Sequence, residues 1–324
     1  FGKIRVEGRD ACRFLNHVCA NQIDVAPGRI VYTQWLNMSG GIECDLTVTR
    51  LSETAFLLVV PAATLQRDLD WLRRHLADDL FVVVTDVSAG EAVFCAMGPQ
   101  SRALMQSVSP NDFGNDAHPF GHAREIEIGM GVARAHRVSF VGELGWEIYV
   151  SSEQAAHVFE TLVEAGAAHG LKLCGLHAMD SCRLEKGYRH FGHDITDEDH
   201  VLEAGLGFAI DLGKADFIGR DGVCRKQDEG LSRRLVQFRL EDPEPLLYHN
   251  EPILRDGEIV GRLTSGGYGH HLGASVGLGY VPCVGQTAEQ VLASTYTIDV
   301  AGTQVGATAS LRPLYDPRSE RVRS

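Results

Sequence analysis

The sequence predicts an α+β chain that closes in a small all-β unit. Three observations carry that expectation. Strand-like runs alternate with an amphipathic helix over 30–87, and a second strand and helix series follows from 91 to about 187. Residues 233–324 are short strands broken by Gly and Pro with almost no helical period, which reads as a β-barrel or sandwich. At 324 residues the chain exceeds one ordinary core and suits two or three packed units. With 44% hydrophobic and 23% charged residues it lies in the range of chains that fold and bury a core.

Residues 3–7 alternate as a short strand, and 9–19 space Phe14, Leu15 and Val18 at helical intervals. Pro27-Gly28 marks a turn. Ile30–Leu36 and Ile42–Val48 then read as two strands of a hairpin joined through Asn37-Met38-Ser39-Gly40-Gly41. A third strand over Phe56–Val60 leads to a helix over about 63–77, and Phe81–Val84 gives the next strand. After a strand at Ala92–Met97, a helix is predicted to start around Gly98-Pro99-Gln100-Ser101, with Pro99 near its first turn. Strands follow near 124–129, 132–140 and 146–150. Helices follow over about 153–168 and 175–187, the first opened by Ser151 and Gln154 as a capping box. Lys226-Gln227-Asp228-Glu229-Gly230 is a polar break and the predicted domain boundary.

Thirty Lys and Arg against 43 Asp and Glu give a net charge of −13, with no basic run. A duplex nucleic acid is therefore a poor partner, since phosphates need a concentrated basic surface. Small molecules and proteins are the expected partners. No apolar stretch approaches the roughly 20 residues of a membrane-spanning helix, so no membrane association is expected. The eight cysteines form no CxxC pair and are expected to be reduced and mostly core-filling, as in a cytoplasmic protein. The start, Phe1-Gly2-Lys3-Ile4, has neither an initiating Met nor the features of a signal peptide, and the chain is expected to begin inside a longer polypeptide.

Several segments carry chemistry-bearing residues. Strand parity places Glu43 and Asp45 on one face and Ile42, Cys44 and Leu46 on the other. Two carboxylates so placed make either a catalytic pair or a solvated sheet face, and parity does not choose between them. Glu185, in the helix through Asp180–Lys186, is equally open to reading as one of a row of surface charges. Arg189–His200 has ligand-type residues, but Gly192 and Asp194 suit a polar loop better than a helical metal site, so no metal is expected. Ser265–Gly273 lacks the GxGxxG spacing and is expected to be a turn between strands. No GxSxG, P-loop or HExxH is present, which leaves hydrolase and NTPase readings without support.

Ordered blocks nevertheless carry a resemblance. Phe14-Leu15-Asn16 to Asn21-Gln22-Ile23, Gly28–Thr33 and Leu36–Ile42 leading to Asp45-Leu46 come first. Gly98-Pro99-Gln100, Gly142–Ile148, Asp180–Glu185, Phe217-Ile218-Gly219, Thr264-Ser265-Gly266 and Leu278–Val281 follow in order. Over essentially its whole length the chain resembles the aminomethyltransferase (glycine-cleavage T-protein) family of folate-binding proteins. Glu185–Gly192 and Glu203–Phe208 most resemble the C-terminal folate-binding half of flavin-dependent dimethylglycine and sarcosine dehydrogenases and oxidases.

That resemblance implies a T-protein-like folate-binding α+β fold: two interleaved α+β subdomains over 1–230 and a C-terminal β-barrel over 231–324. It implies Asp45 as the catalytic aspartate beside the reactive edge of tetrahydrofolate. It implies Glu185 as the carboxylate that pairs with the pterin ring, Tyr32 as a pocket-wall aromatic, and Leu58 and Val60 as apolar lining. Tyr32 is equally open to reading as plain core. The cofactor implied is tetrahydrofolate, with FAD only on a missing N-terminal half or a partner chain. The activity implied is formation of 5,10-methylenetetrahydrofolate from the oxidation product of dimethylglycine or sarcosine. Rival readings are a stand-alone aminomethyltransferase served by a lipoyl carrier protein, a folate-dependent methyltransferase or demethylase, and a non-catalytic folate binder. Departures from the family pattern are Glu43-Cys44-Asp45 in place of a double aspartate, and Tyr248 where an arginine usually approaches the glutamate tail. Lys186-Gly187-Tyr188 lacks the cysteine of the iron–sulfur-maintenance branch.

Overall fold

A computed structural model describes residues 1–324. The first unit holds β1 (Gly2–Glu7), α1 (Ala11–Val18), β2 (Ile30–Leu36), β3 (Ile42–Ser52), β4 (Ala55–Val60), α2 (Leu65–His75) and β5 (Val83–Asp86). Its strands form an antiparallel sheet in the order β2-β3-β4-β1-β5. Helix α1 buries Ala11, Phe14, Leu15 and Val18, the i, i+3, i+4, i+7 stripe of an amphipathic helix, against that sheet. Cys44, Leu46 and Val48 of β3 meet them, together with Trp35 and Phe56. Burying each of the larger side chains contributes about 1.5–3 kcal/mol.

The turn between β2 and β3 is fixed by Asn37. Its Oδ1 accepts from Ser39 N (3.1 Å), Ser39 Oγ (2.7 Å) and Gly41 N (2.9 Å), and its Nδ2 donates to the Asp197 carbonyl (3.0 Å). A bulge at Trp35/Leu36 adjoins it. Together they set the register that pairs Gln34 with Asp45 and Tyr32 with Thr47.

The second unit holds β6 (Glu91–Met97), α3 (Ser101–Val108), β7 (Ala123–Ile128), β8 (Gly131–His136), β9 (Gly145–Ser151) and α4 (Ala155–Gly166), with sheet order β6-β9-β8-β7. One face packs on α3 and α4 through Trp146, Ile148, Leu104 and Val158. The other turns toward the first sheet, where Tyr149 packs with Leu57 and Val59. After α5 (Leu176–Glu185) the chain returns to the first unit: Ile195, Val201, Phe217 and Val223 pack on Leu36 and Ile42. That return, completed by α6 (Arg220–Glu229), interleaves the units.

The barrel comprises β10 (Arg233–Leu240), β11 (Pro252–Arg255), β12 (Glu258–Gly269), β13 (Ala274–Pro282), β14 (Tyr296–Val300) and β15 (Thr303–Ser310). It closes in the order β10-β13-β12-β11-β14-β15, with β15 returning to β10. Val236, Phe238, Leu263, Val281 and Ile298 fill its interior, while Leu184 of α5 docks outside on Leu235, Val276 and Tyr280. Two short helices, α7 (Ala288–Leu292) and α8 (Glu320–Arg323), complete the chain. No helix is long and apolar enough to cross a membrane.

The element order follows the sequence reading, with local corrections. Ser151 and Gln154 form no capping box, because the Gln154 side chain accepts from Val132 N across to β8. Pro99 does lie beside the first turn of α3, one residue ahead of the Gln100 N-cap. Lys226–Glu229 form the last turn of α6, ended by Gly230 at φ 84°, so the polar run is a helix end. Only Cys19, Cys44 and Cys283 are buried, and all eight thiols are free. The Gly-rich run is the end of β12 and its hairpin into β13.

Candidate active site

Strand β3 places its residues as parity requires. Ile42, Cys44, Leu46 and Val48 are buried in cores, and Glu43, Asp45 and Thr47 point to the opposite face. Glu43 is engaged there by the Arg67 guanidinium. Asp45 is half-buried, and its Oδ1 accepts from Gln34 Nε2 at 2.9 Å across the β2–β3 register. Burial pushes its carboxyl up to about 6, against the opposing pull of Gln34, the neighbouring Tyr32 hydroxyl and the positive charge of Arg189. Gln34 is itself fully buried, and its Oε1 has no donor. Tyr32 completes the group, with its ring stacked on Phe208 at 6.0 Å between centroids. Burial, then the Asp45 charge, hold its phenol well above the ordinary range, so it stays protonated.

The register extends this face to the neighbouring strands. Thr47 opposes Val59 and Thr49 opposes Leu57, so Leu57 and Val59 share the Asp45 side of the sheet. Leu58 and Val60 point the other way, into the core with Phe14, Leu46 and Val48. The structure does not bring these two to Asp45. What faces Leu57 and Val59 is the second sheet, and there stands a residue that sequence reasoning missed. Glu147 on β9 is 7% exposed and accepts the Tyr149 hydroxyl on Oε2 at 2.7 Å, with no protein donor to Oε1. Burial raises its pKa, and Tyr149 partly offsets the rise. His136 lies against Tyr149 at 4.2 Å, and desolvation together with the Arg134 charge holds it neutral.

Glu185 faces the barrel. It ends α5, only 1% exposed, and its Oε1 accepts the backbone N–H groups of His271 (2.8 Å) and Leu272 (2.9 Å) in the β12–β13 hairpin. Gly269 permits that approach, since a Cβ there would lie 2.9 Å from Glu185 Oε1. Its own carbonyl accepts from Gln237 and Tyr315. The partners of the Glu185 carboxylate and carbonyl thus belong to the barrel or to the chain that follows it. The reading of Glu185 as a surface charge fails, and the carboxylate serves the helix–barrel junction.

Gln34 Oε1, beside Asp45 on the first sheet, lacks a protein donor, and so does Glu147 Oε1 on the second sheet, which packs against the first through Leu57, Val59 and Tyr149, while Asp45 is held by Gln34 and the neighbouring Tyr32 hydroxyl. Such a set suits a flat ligand with N–H donors on its edges and an apolar body, and a reduced pterin is of that kind. A separate cavity of about 340 Å³ lies between Pro99, Glu143, Leu144 and the C-terminal Glu320, Arg321 and Ser324, away from these carboxylates.

Comparison with known proteins bears on this geometry. The GCVT N-terminal domain matches residues 1–214, and the glycine cleavage T-protein C-terminal barrel domain matches 233–316. The chain belongs to the glycine-cleavage T-protein family. The T-protein family member is 41% identical over its whole length to 4-methylaminobutanoate oxidase (formaldehyde-forming) of Paenarthrobacter nicotinovorans, and covers 39% of that protein. It is 33% identical to human mitochondrial sarcosine dehydrogenase, again over its whole length and 37% of the relative. It is 35% identical over 86% of its length to an aminomethyltransferase of Halothermothrix orenii, covering 77% of it. The T-protein fold is matched directly by the crystal structure of glycine cleavage system aminomethyltransferase T from Bartonella henselae. That match has a TM-score of 0.85 and 26% identity, over 98% of this chain and 84% of that one. The chain spans about two fifths of the first two relatives named.

Proposed function

We propose that the chain is a tetrahydrofolate-dependent one-carbon transferase that receives the methylene group of an oxidised N-methyl amino acid. The oxidation itself is assigned to a flavin-bearing module outside this chain, in keeping with relatives named as an oxidase and dehydrogenases. The observation that carries the reading is Asp45: a half-buried carboxylate, pushed up to about 6 by burial, with one oxygen held by Gln34 and the Tyr32 hydroxyl beside it.

Tetrahydrofolate, when bound, would supply two secondary amine nitrogens, N5 and N10, as acceptors of the methylene, their two protons passing one to the released amine and one to a base. Asp45 is suited to that second proton, because its raised pKa brings it close to neutral pH while leaving it mostly ionised there. Its negative charge also stabilises a cationic methylene donor beside it. Glu147, not Glu185, is the carboxylate proposed to accept pterin N–H donors, with Leu57 and Val59, not Leu58 and Val60, against the ring. Tyr32 and Phe208 wall the Asp45 end. The 1–230 and 231–324 division is retained as the proposed domain boundary.

Calorimetric titration with tetrahydrofolate under anaerobic, reducing conditions tests the reading. One site of micromolar affinity supports it, and folded protein that takes up no folate overturns it.

A further inference from the structure

We propose that Arg189 is a carboxylate-binding residue of the Asp45 site, placed to hold the carboxylate of the amino-acid donor. The inference rests on the folate-transfer reading above and names a determinant of its substrate class.

Arg189 is half-buried, and its fork is aimed by the chain. Nε donates to the Ala204 carbonyl (3.0 Å) and Nη1 to that of Gly187 (3.0 Å), which leaves Nη2 with no acceptor. Gly205, at φ 71°, makes room for Nη2, since a Cβ there would stand 2.8 Å from it. The segment Arg189 holds runs on from Ala204 to Phe208, the ring stacked on Tyr32, which links the guanidinium to the Tyr32–Gln34–Asp45 group through five residues of chain. Its charge is felt at both Asp45 and Tyr32.

Neighbouring cations are neutralised. Arg183 pairs with Asp180 (2.6 Å) and Asp194 (2.7 Å), Lys186 with Asp316 (2.9 Å), and Arg233 with Asp199 (2.8 Å) and Glu203 (3.1 Å). Arg189 alone of these has no carboxylate within pairing distance, in a chain whose net charge is −13. A partly desolvated cation without an anion is costly unless a ligand supplies one. A guanidinium with a free Nη2 matches a carboxylate by geometry as well as charge. Sarcosine and dimethylglycine, named with the relatives, and 4-methylaminobutanoate all carry an amine and a carboxylate. The folate glutamate tail is a second source of the same group, and position favours the donor, because Arg189 adjoins the reacting end at Asp45.

The test titrates two probe pairs into wild type, Arg189→Gln and Arg189→Lys: N-methylglycine against N-methylglycinamide on tetrahydrofolate-saturated protein, and tetrahydrofolate against tetrahydropteroate on free protein. Wild type is expected to prefer N-methylglycine by about tenfold. Arg189→Gln should abolish that preference with tetrahydrofolate affinity unchanged, and Arg189→Lys should keep part of it. Loss of the tetrahydrofolate over tetrahydropteroate preference instead assigns Arg189 to the glutamate tail. Wild type that binds tetrahydrofolate yet ignores the carboxylate in both pairs overturns the proposal without need of a variant. Wild type that binds no tetrahydrofolate overturns the folate reading, and this proposal with it.

Discussion

Gln34 donates to Asp45 at 2.9 Å across the β2–β3 register while its own carbonyl oxygen, fully buried, receives no hydrogen bond. One amide therefore holds the carboxylate on one side and offers an unpaired acceptor on the other. Leaving a buried acceptor unmade costs about 1–3 kcal/mol, an expense that a donor-bearing ligand recovers on binding.

Replacing Asp45 by Asn should leave folate affinity within a few-fold and lower methylene transfer by roughly 10²- to 10³-fold. Single-turnover formation of 5,10-methylenetetrahydrofolate measures it. An Asp45→Asn chain with full turnover removes Asp45 from the chemistry.

The same variant should be more stable than wild type at pH 7.5. The folded-state pKa of about 6 lies above the ordinary 3.8, so the folded chain holds this proton more tightly than the unfolded chain. Ionised Asp45 consequently costs stability above pH 6, and that cost fades as pH falls through 6 toward 4 and below. Its full size is on the order of 1–3 kcal/mol. Thermal melts of both proteins from pH 4 to 8 should diverge with rising pH, and parallel curves would contradict the assignment.

Glu147→Gln and Glu185→Gln should separate binding from structure. The first is expected to weaken tetrahydrofolate about tenfold with little change in melting temperature. The second weakens the bonds from His271 and Leu272 and should cost about 1–3 kcal/mol of stability with folate affinity retained. The reverse pattern would return the pterin role to Glu185.

Phe208→Ala removes a ring that is 74% exposed yet stacked on Tyr32, so stability should move by less than about 0.5 kcal/mol. Folate or donor affinity should still fall several-fold, read by calorimetry.

Asp194→Ala should be severe for stability. Asp194 is fully buried and accepts from Arg183 Nη1 (2.7 Å) and His190 N (2.9 Å), so its loss leaves the buried Arg183 guanidinium with only the half-exposed Asp180 as counter-charge and orphans the His190 amide, at a cost of about 3 kcal/mol. A urea midpoint unchanged from wild type would contradict this.

The Asp45 face was legible because β3 alternates cleanly between core and carboxylate, and a period of two needs no distant information. Strands β4 and β9 are buried on both faces, Ala55–Val60 throughout and Gly145–Val150 likewise, so alternation says nothing about which side a residue takes. Leu58 and Leu57, or Val60 and Val59, are therefore equivalent by sequence and separate only through the register with β3. Glu147 carried a weaker signal, a lone charge in the apolar run Trp146–Val150 that burial makes costly. For Glu185 no local signal existed, since its partners arrive 86 and 87 residues later. The barrel was readable as Gly- and Pro-broken strands, whereas its closure depends on the β10–β15 pairing, which no window of sequence contains.

The Asn37-centred turn makes hairpin length a determinant of reactivity. Side chains along β3 change faces at every residue, so inserting a single position between Leu36 and Ile42 would present the thiol of Cys44 where the acid of Asp45 stands, deleting one would present Leu46, and either would send the acid into the apolar interior. Selection on that loop therefore acts on its count of residues as well as on Asn37 and the glycines that shape it, and natural variants are expected to exchange Met38 or Ser39 far more readily than to change the loop's length.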